Sequence, residues 1–127
     1  SLVSTCAGHT AGVVTAVAAM PDSQRILSSG CDKTVRVWLL DGTLENTFQL
    51  HTNAVEALVA LPDNQHALSG SVDATIKLFN VNDGALLRTF THHISHVCSL
   101  ALLPDGLRFI SGSGDTRARI VYHGLAP

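Results

Sequence analysis

The sequence predicts an all-β fold built from repeated four-stranded sheets. Three observations carry this. One motif returns at a spacing of about 42 residues, short runs of apolar and β-branched residues sit between turn signals, and no window sustains the 3.6-residue period of a helix.

The repeat is fixed by several anchors. His9, His51 and His93 recur at 42 and 42 residues, and Pro21-Asp22, Pro62-Asp63 and Pro104-Asp105 recur at 41 and 42. The string Ser28-Ser29-Gly30-Cys31-Asp32 returns as Ser69-Gly70-Ser71-Val72-Asp73 and as Ser111-Gly112-Ser113-Gly114-Asp115. Six positions after each Asp stand Trp38, Phe79 and Val121. The one slip is a single extra residue between His9 and Pro21.

Each repeat reads as a run of short strands. The first covers 14–20, 55–61 or 97–103, closed by a Pro-Asp turn that ends the ladder and pre-sets the chain direction. The second covers 25–28, 67–69 or 108–111. The third covers 34–38, 75–79 or 117–121, where β-branched residues alternate with basic ones. The fourth covers 44–48 or 86–90 and is entered through Asp41-Gly42 or Asp83-Gly84, the strongest hairpin signals in the chain. Repeat three has no fourth strand of its own.

Composition narrows the function classes. The 127 residues carry 8 Lys and Arg against 10 Asp and Glu, a net charge of -2. A nucleic-acid or anionic-membrane surface needs a clustered basic excess, so neither partner is expected. Hydrophobic residues make up 46% and charged ones 14%, which excludes a disordered chain. The longest apolar stretch, 13–20, is too short for a transmembrane helix. No secretory signal is visible. Cys6, Cys31 and Cys98 are odd in number and lack CxxC spacing, which fits a reducing compartment and predicts an intracellular, cytoplasmic protein.

Gly8-His9 followed by Ser28, Asp32 and Trp38 resembles the Gly-His … Ser-x-x-x-Asp … Trp-Asp signature of WD40 repeats. The resemblance covers the whole chain. Departures are Leu39 after Trp38, Phe79-Asn80 and Val121-Tyr122 in place of the dipeptide, and Leu50 and His92 in place of the Gly before His51 and His93. The resemblance implies three β-propeller blades of four antiparallel strands, closing a six-bladed ring as a homodimer or forming part of a larger propeller. It divides one domain, 1–127, into a latch strand at 1–7, repeat one at 8–49, repeat two at 50–91 and repeat three at 92–127. The latch aligns with the fourth strands, Thr5 falling at the place of Thr47 and Thr89, and completes the last blade.

The resemblance also implies structural tetrads: His9, Ser28, Asp32 and Trp38; His51, Ser69, Asp73 and Phe79; His93, Ser111 and Asp115, facing Val121. A Ser-His-Asp set suggests a hydrolase, but an active site does not recur once per period. These are expected to be fold residues, with no catalytic residue. The third set, lacking an aromatic, is expected to be the loosest, and Phe79→Trp to be tolerated or stabilising. Of the seven histidines, His92, His93 and His96 cluster with Cys98 nearby. Zinc needs three or four converging ligands, and His93 is claimed by its tetrad, so no metal and no cofactor are expected. Arg36, Lys77 and Arg119 share one register and are expected to pack their stems on neighbouring blades. By resemblance, Cys31, Val72 and Gly114 before the tetrad Asp, and Asn53, Ser95 and His96 before the innermost strand, lie on the partner-binding face. The expected function is a non-enzymatic scaffold for protein or peptide partners that also self-associates. The alternatives are a purely architectural subunit or a His-rich metal-binding module.

Overall fold

The computed structural model describes residues 5–9 and 12–125. Its strands in chain order are β1 (Val14–Ala19), β2 (Arg25–Gly30), β3 (Val35–Leu39), β4 (Leu44–Phe48), β5 (Val55–Ala60), β6 (His66–Ser71), β7 (Ile76–Asn80), β8 (Leu86–Phe90), β9 (Val97–Leu102), β10 (Arg108–Ser113) and β11 (Ala118–Tyr122). They form three antiparallel sheets, ordered β1-β2-β3-β4, β5-β6-β7-β8 and β9-β10-β11. The described residues contain no helix.

The second strands run further than their Ser-Gly composition suggests. Ser29 still pairs with Val35, Gly70 with Ile76 and Gly112 with Ala118. Small residues serve here as strand residues because the next sheet comes close: a Cβ on Gly70 would lie 2.7 Å from Val97 Cγ1. The third strands start one residue late, because Lys33, Ala74 and Thr116 occupy left-handed turn positions with φ of 72°, 71° and 72°.

The sheets pack face to face through their first strands, with β5 between β1 and β9. Alternate residues of the middle sheet point to opposite neighbours. Ala67 and Phe79 join Leu27, Val35 and Val37 in one core, while Leu68, Ile76 and Leu78 join Val97 and Phe109 in the other. Both faces of the middle sheet are therefore apolar and buried, whereas each outer sheet covers only one face.

β11 is an edge with no further strand against it among the described residues. Of the expected latch, residues 1–4 lie outside the described residues, and 5–9 form no strand.

Candidate functional site

The recurring spacing within each repeat brings a His, a Ser and an Asp together at one end of each sheet. In the first sheet His9 Nδ1 is 3.0 Å from Asp32 Oδ2, His9 Nε2 is 2.7 Å from Ser28 Oγ, and the Trp38 indole donates to the same Oγ at 2.8 Å. The network assigns the proton positions: Nδ1–H donates to the carboxylate, Ser28 donates to Nε2, and Ser28 accepts from Trp38. Every polar atom of that chain is satisfied.

The second sheet keeps His51 at 2.9 Å from Asp73 and 2.7 Å from Ser69. The third keeps His93 at 2.7 Å from both Asp115 and Ser111. The third set is thus drawn no longer than the others, because the His and Ser contacts do not depend on the aromatic. Ser69 and Ser111 are fully buried and Trp38 is 2% exposed.

Sequence reasoning missed the residue two positions after each Asp. Thr34 donates its hydroxyl to Asp32 at 2.7 Å and Thr75 to Asp73 at 2.5 Å. The signal was present in the spacing, but Arg117 breaks it in the third repeat. There Asp115 accepts from the backbone N–H groups of Arg117 at 2.9 Å and Ile94 at 3.3 Å.

These environments set the charges. Burial pushes His51 below its ordinary pKa, outweighing the attraction of Asp73. Burial works against ionisation of Asp73, but hydrogen bonds from Thr75 and His51 outweigh it and hold the carboxyl low. Burial opposes ionisation of Asp115 too, yet His93 and two backbone N–H groups hold it at about 2.

Beside each set, two loops are tied by one backbone bond. Cys31 N–H donates to Val13, Val72 N–H to Ala54 and Gly114 N–H to His96, at 2.9–3.1 Å. Cys31, Asn53, His96 and Gly114 are exposed, while Val72 and Ser95 are half-buried. The His96 ring lies over Gly114, where any Cβ would collide with it. Next to it, Ile94 is 91% exposed, a residue that neither periodicity nor motif singled out.

The histidine cluster diverges. His92 stacks on Phe90 with ring centroids 6.1 Å apart, His93 turns inward, and His96 turns outward. Among the described residues no three His, Cys, Asp or Glu side chains gather in a metal-holding group. Arg36 lies against the first sheet with Nη2 3.8 Å from Asp32, and the Nε atoms of Arg36 and Arg119 are buried.

Repeated antiparallel sheets of four, four and three strands, packed through their first strands and each closed by an inward-turned His-Ser-Asp set, define an arc of β-propeller blades. The model of the WD domain, G-beta repeat, matches residues 1–38, 42–80 and 84–121, and the chain belongs to the WD40 family. A crystal structure of the WD40 β-propeller domain of Doa1 is similar over 95% of this chain, with 32% identity and a TM-score of 0.87. The chain spans 40% of that structure. No curated protein sequence matches the chain significantly. WD40 propellers are generally protein-interaction scaffolds, and none of the described residues forms a helix long and apolar enough to cross a membrane.

Proposed function

We propose that this protein is a non-enzymatic, intracellular scaffold that holds a protein or peptide partner on the loops beside its His-Ser-Asp sets. The observation that supports this reading most is Ile94. An aliphatic side chain 91% exposed on a loop whose N–H donates to Asp115 offers an apolar contact at a fixed place on the scaffold. Cys31, Asn53, Val72, Ser95, His96 and Gly114 are the further candidate contacts on these loops. The His-Ser-Asp sets themselves hold the loops in place and do no chemistry: their hydroxyls are buried and each is bonded to its His, with Ser28 accepting from Trp38 as well.

The experiment compares partner capture by wild type, by the pair Ile94→Asp and His96→Ala, and by Asp22→Ala at the opposite end of the sheets. Partners held by wild type and Asp22→Ala but lost by the loop variants support the reading. Capture that is indifferent to Ile94 and His96 overturns it. A fluorophosphonate probe is expected to label none of Ser28, Ser69 and Ser111.

A second reading, that the chain also pairs with itself, is favoured by its two open faces. Val17 is 74% exposed where its counterpart Leu58 is 8%, and Ile120 is 62% exposed where its counterpart Leu78 is 1%. Each is core-type surface with no blade against it.

A further inference from the structure

The Pro-Asp turns sit at the end of the sheets opposite the partner loops, and they do not join one another in the same way. Between the first two blades the seam is stitched by an amide. Asn64 Nδ2 donates to Asp22 Oδ2 at 2.7 Å, and Asp22 N–H donates back to Asn64 Oδ1 at 3.2 Å. Arg25 adds bonds to Asn64 O at 3.1 Å and Asn82 Oδ1 at 2.7 Å.

Between the second and third blades the counterpart of Asn64 is Gly106, at the same left-handed turn position, with φ of 71° against 60°. The amide is gone. Asp63, the counterpart of Asp22, turns its carboxylate to the His66 ring at 2.5 Å, and its N–H has no protein partner among the described residues. In the place of the stitch lies a recess of about 230 Å³, walled by Leu61, Leu107 and Leu125 and rimmed by Asp63 and Asp105. Its floor is rigid: the buried His123 donates Nε2–H to Gly106 O at 2.7 Å and accepts Leu125 N–H on Nδ1 at 3.1 Å.

We propose that this recess is a binding site for an asparagine side chain of a partner peptide, seated as Asn64 is seated one seam earlier. The carboxamide donates to Asp63 Oδ2 and accepts from Asp63 N–H, while the neighbouring apolar residue of the peptide covers Leu61, Leu107 and Leu125. The recess is smaller than the roughly 300–1,000 Å³ of small-molecule sites, which suits one or two side chains and not a cofactor. Asp63, ionised below the ordinary aspartate range, is the carboxylate that selects against an acid of the same shape, whereas Asp105 is paired with Arg108 at 2.7 Å. The site is separate from the Ile94 loops, and its failure leaves that reading untouched.

The test is titration of the intact chain, followed by amide NMR, with N-acetyl-asparaginyl-leucine N-methylamide and with its aspartyl isostere. Saturable shifts at Gly106 and Leu125, with affinity at least tenfold weaker for the aspartyl peptide, are expected. Gly106→Asn, which supplies its own carboxamide at a left-handed position that Asn tolerates, is expected to abolish the shifts. Leu107→Phe fills the recess from another wall and serves the same purpose should the first variant not fold. Absent shifts, equal affinity for the two peptides, or undiminished binding by both filled variants would overturn the proposal.

Discussion

Gly8 and Trp38 explain each other. A Cβ on Gly8 would lie 2.9 Å from Trp38 Cη2 and 3.0 Å from an Arg36 nitrogen, so the full indole fits only under a glycine. In the second blade Leu50 stands at that position and shares a core with the smaller Phe79. The aromatic and the residue before the His are therefore one packing unit, Gly8 with Trp38 in the first blade and Leu50 with Phe79 in the second, which single-position reading could not see. This alters the expectation for Phe79→Trp. The larger ring meets Leu50, and the variant is expected to cost about 1–3 kcal/mol through overpacking. Adding Leu50→Gly should recover part of that loss in urea denaturation, and equal loss in single and double variants would break the link. Trp38→Phe is expected to cost roughly 1–3 kcal/mol, because Ser28 Oγ loses its buried donor. Acid should act on these sets in two stages. His51 has a depressed pKa, so its contribution is complete above about 6.5 and is lost as pH falls through the lower folded value. Asp73 and Asp115 are depressed carboxyls, Asp115 to about 2, so their contribution holds above about 4 and is lost below it. The urea midpoint should fall between pH 7.5 and 5 and again between pH 4 and 2.5. A midpoint flat from pH 7.5 to 5 would contradict the buried neutral His51.

The strands were legible because their signals are local. Asp41-Gly42 and Asp83-Gly84 bounded β4 and β8 to the residue, and the period of 42 located every other strand within two or three residues. What local pattern could not show was why Gly70 and Gly112 lie inside strands and not in turns. The role of Gly70 is set by the adjacent blade, through contacts nearly thirty residues away in sequence. Gly70 receives Val97, and a Cβ there would stand 2.7 Å from Cγ1 and 3.2 Å from Cβ of that buried side chain. Gly70→Ala is therefore expected to lower stability by about 1–3 kcal/mol. Gly112 holds the same register on the third blade, where a Cβ would meet only the Ser99 hydroxyl at 2.8 Å, a group free to rotate away. With that face open, Gly112→Ala in the intact chain should be nearly neutral by thermal unfolding, whereas a large loss means that another blade covers the face. The candidate loops were half legible for a similar reason: the family resemblance singled out Cys31, Asn53 and His96, all exposed, but the exposure of Ile94 depends on the chain's path after His93.

At the scale of the whole molecule, the two outer faces are complements of surfaces the chain already joins. The first blade presents Val14, 52% exposed, where its counterparts Val55 and Val97 are fully buried against a neighbour. The third presents Gly112, Ile110, Ala101 and Ala118 around a shallow recess, on the face whose counterpart on the second blade, at Gly70, receives Val97. The prediction at this scale is self-association: a second copy related by a two-fold axis would set each first blade on the other's third blade, in two equivalent contacts. The β11 edge points the same way. In the complete blades Arg36 pairs with Thr47 and Lys77 with Thr89. Continuing that register sets Arg119 opposite Thr5 of another copy. Val17→Glu and Ile120→Asp each place an unpaired charge on one of these faces and leave the inner cores untouched. Light scattering of the wild-type chain is expected to give twice the chain mass of 13.4 kDa, and each variant should shift that mass toward one chain. Deletion of residues 1–7 should weaken the same dimer through the edge. A wild-type chain that stays folded at a single chain mass would remove the second copy as the occupant of these faces.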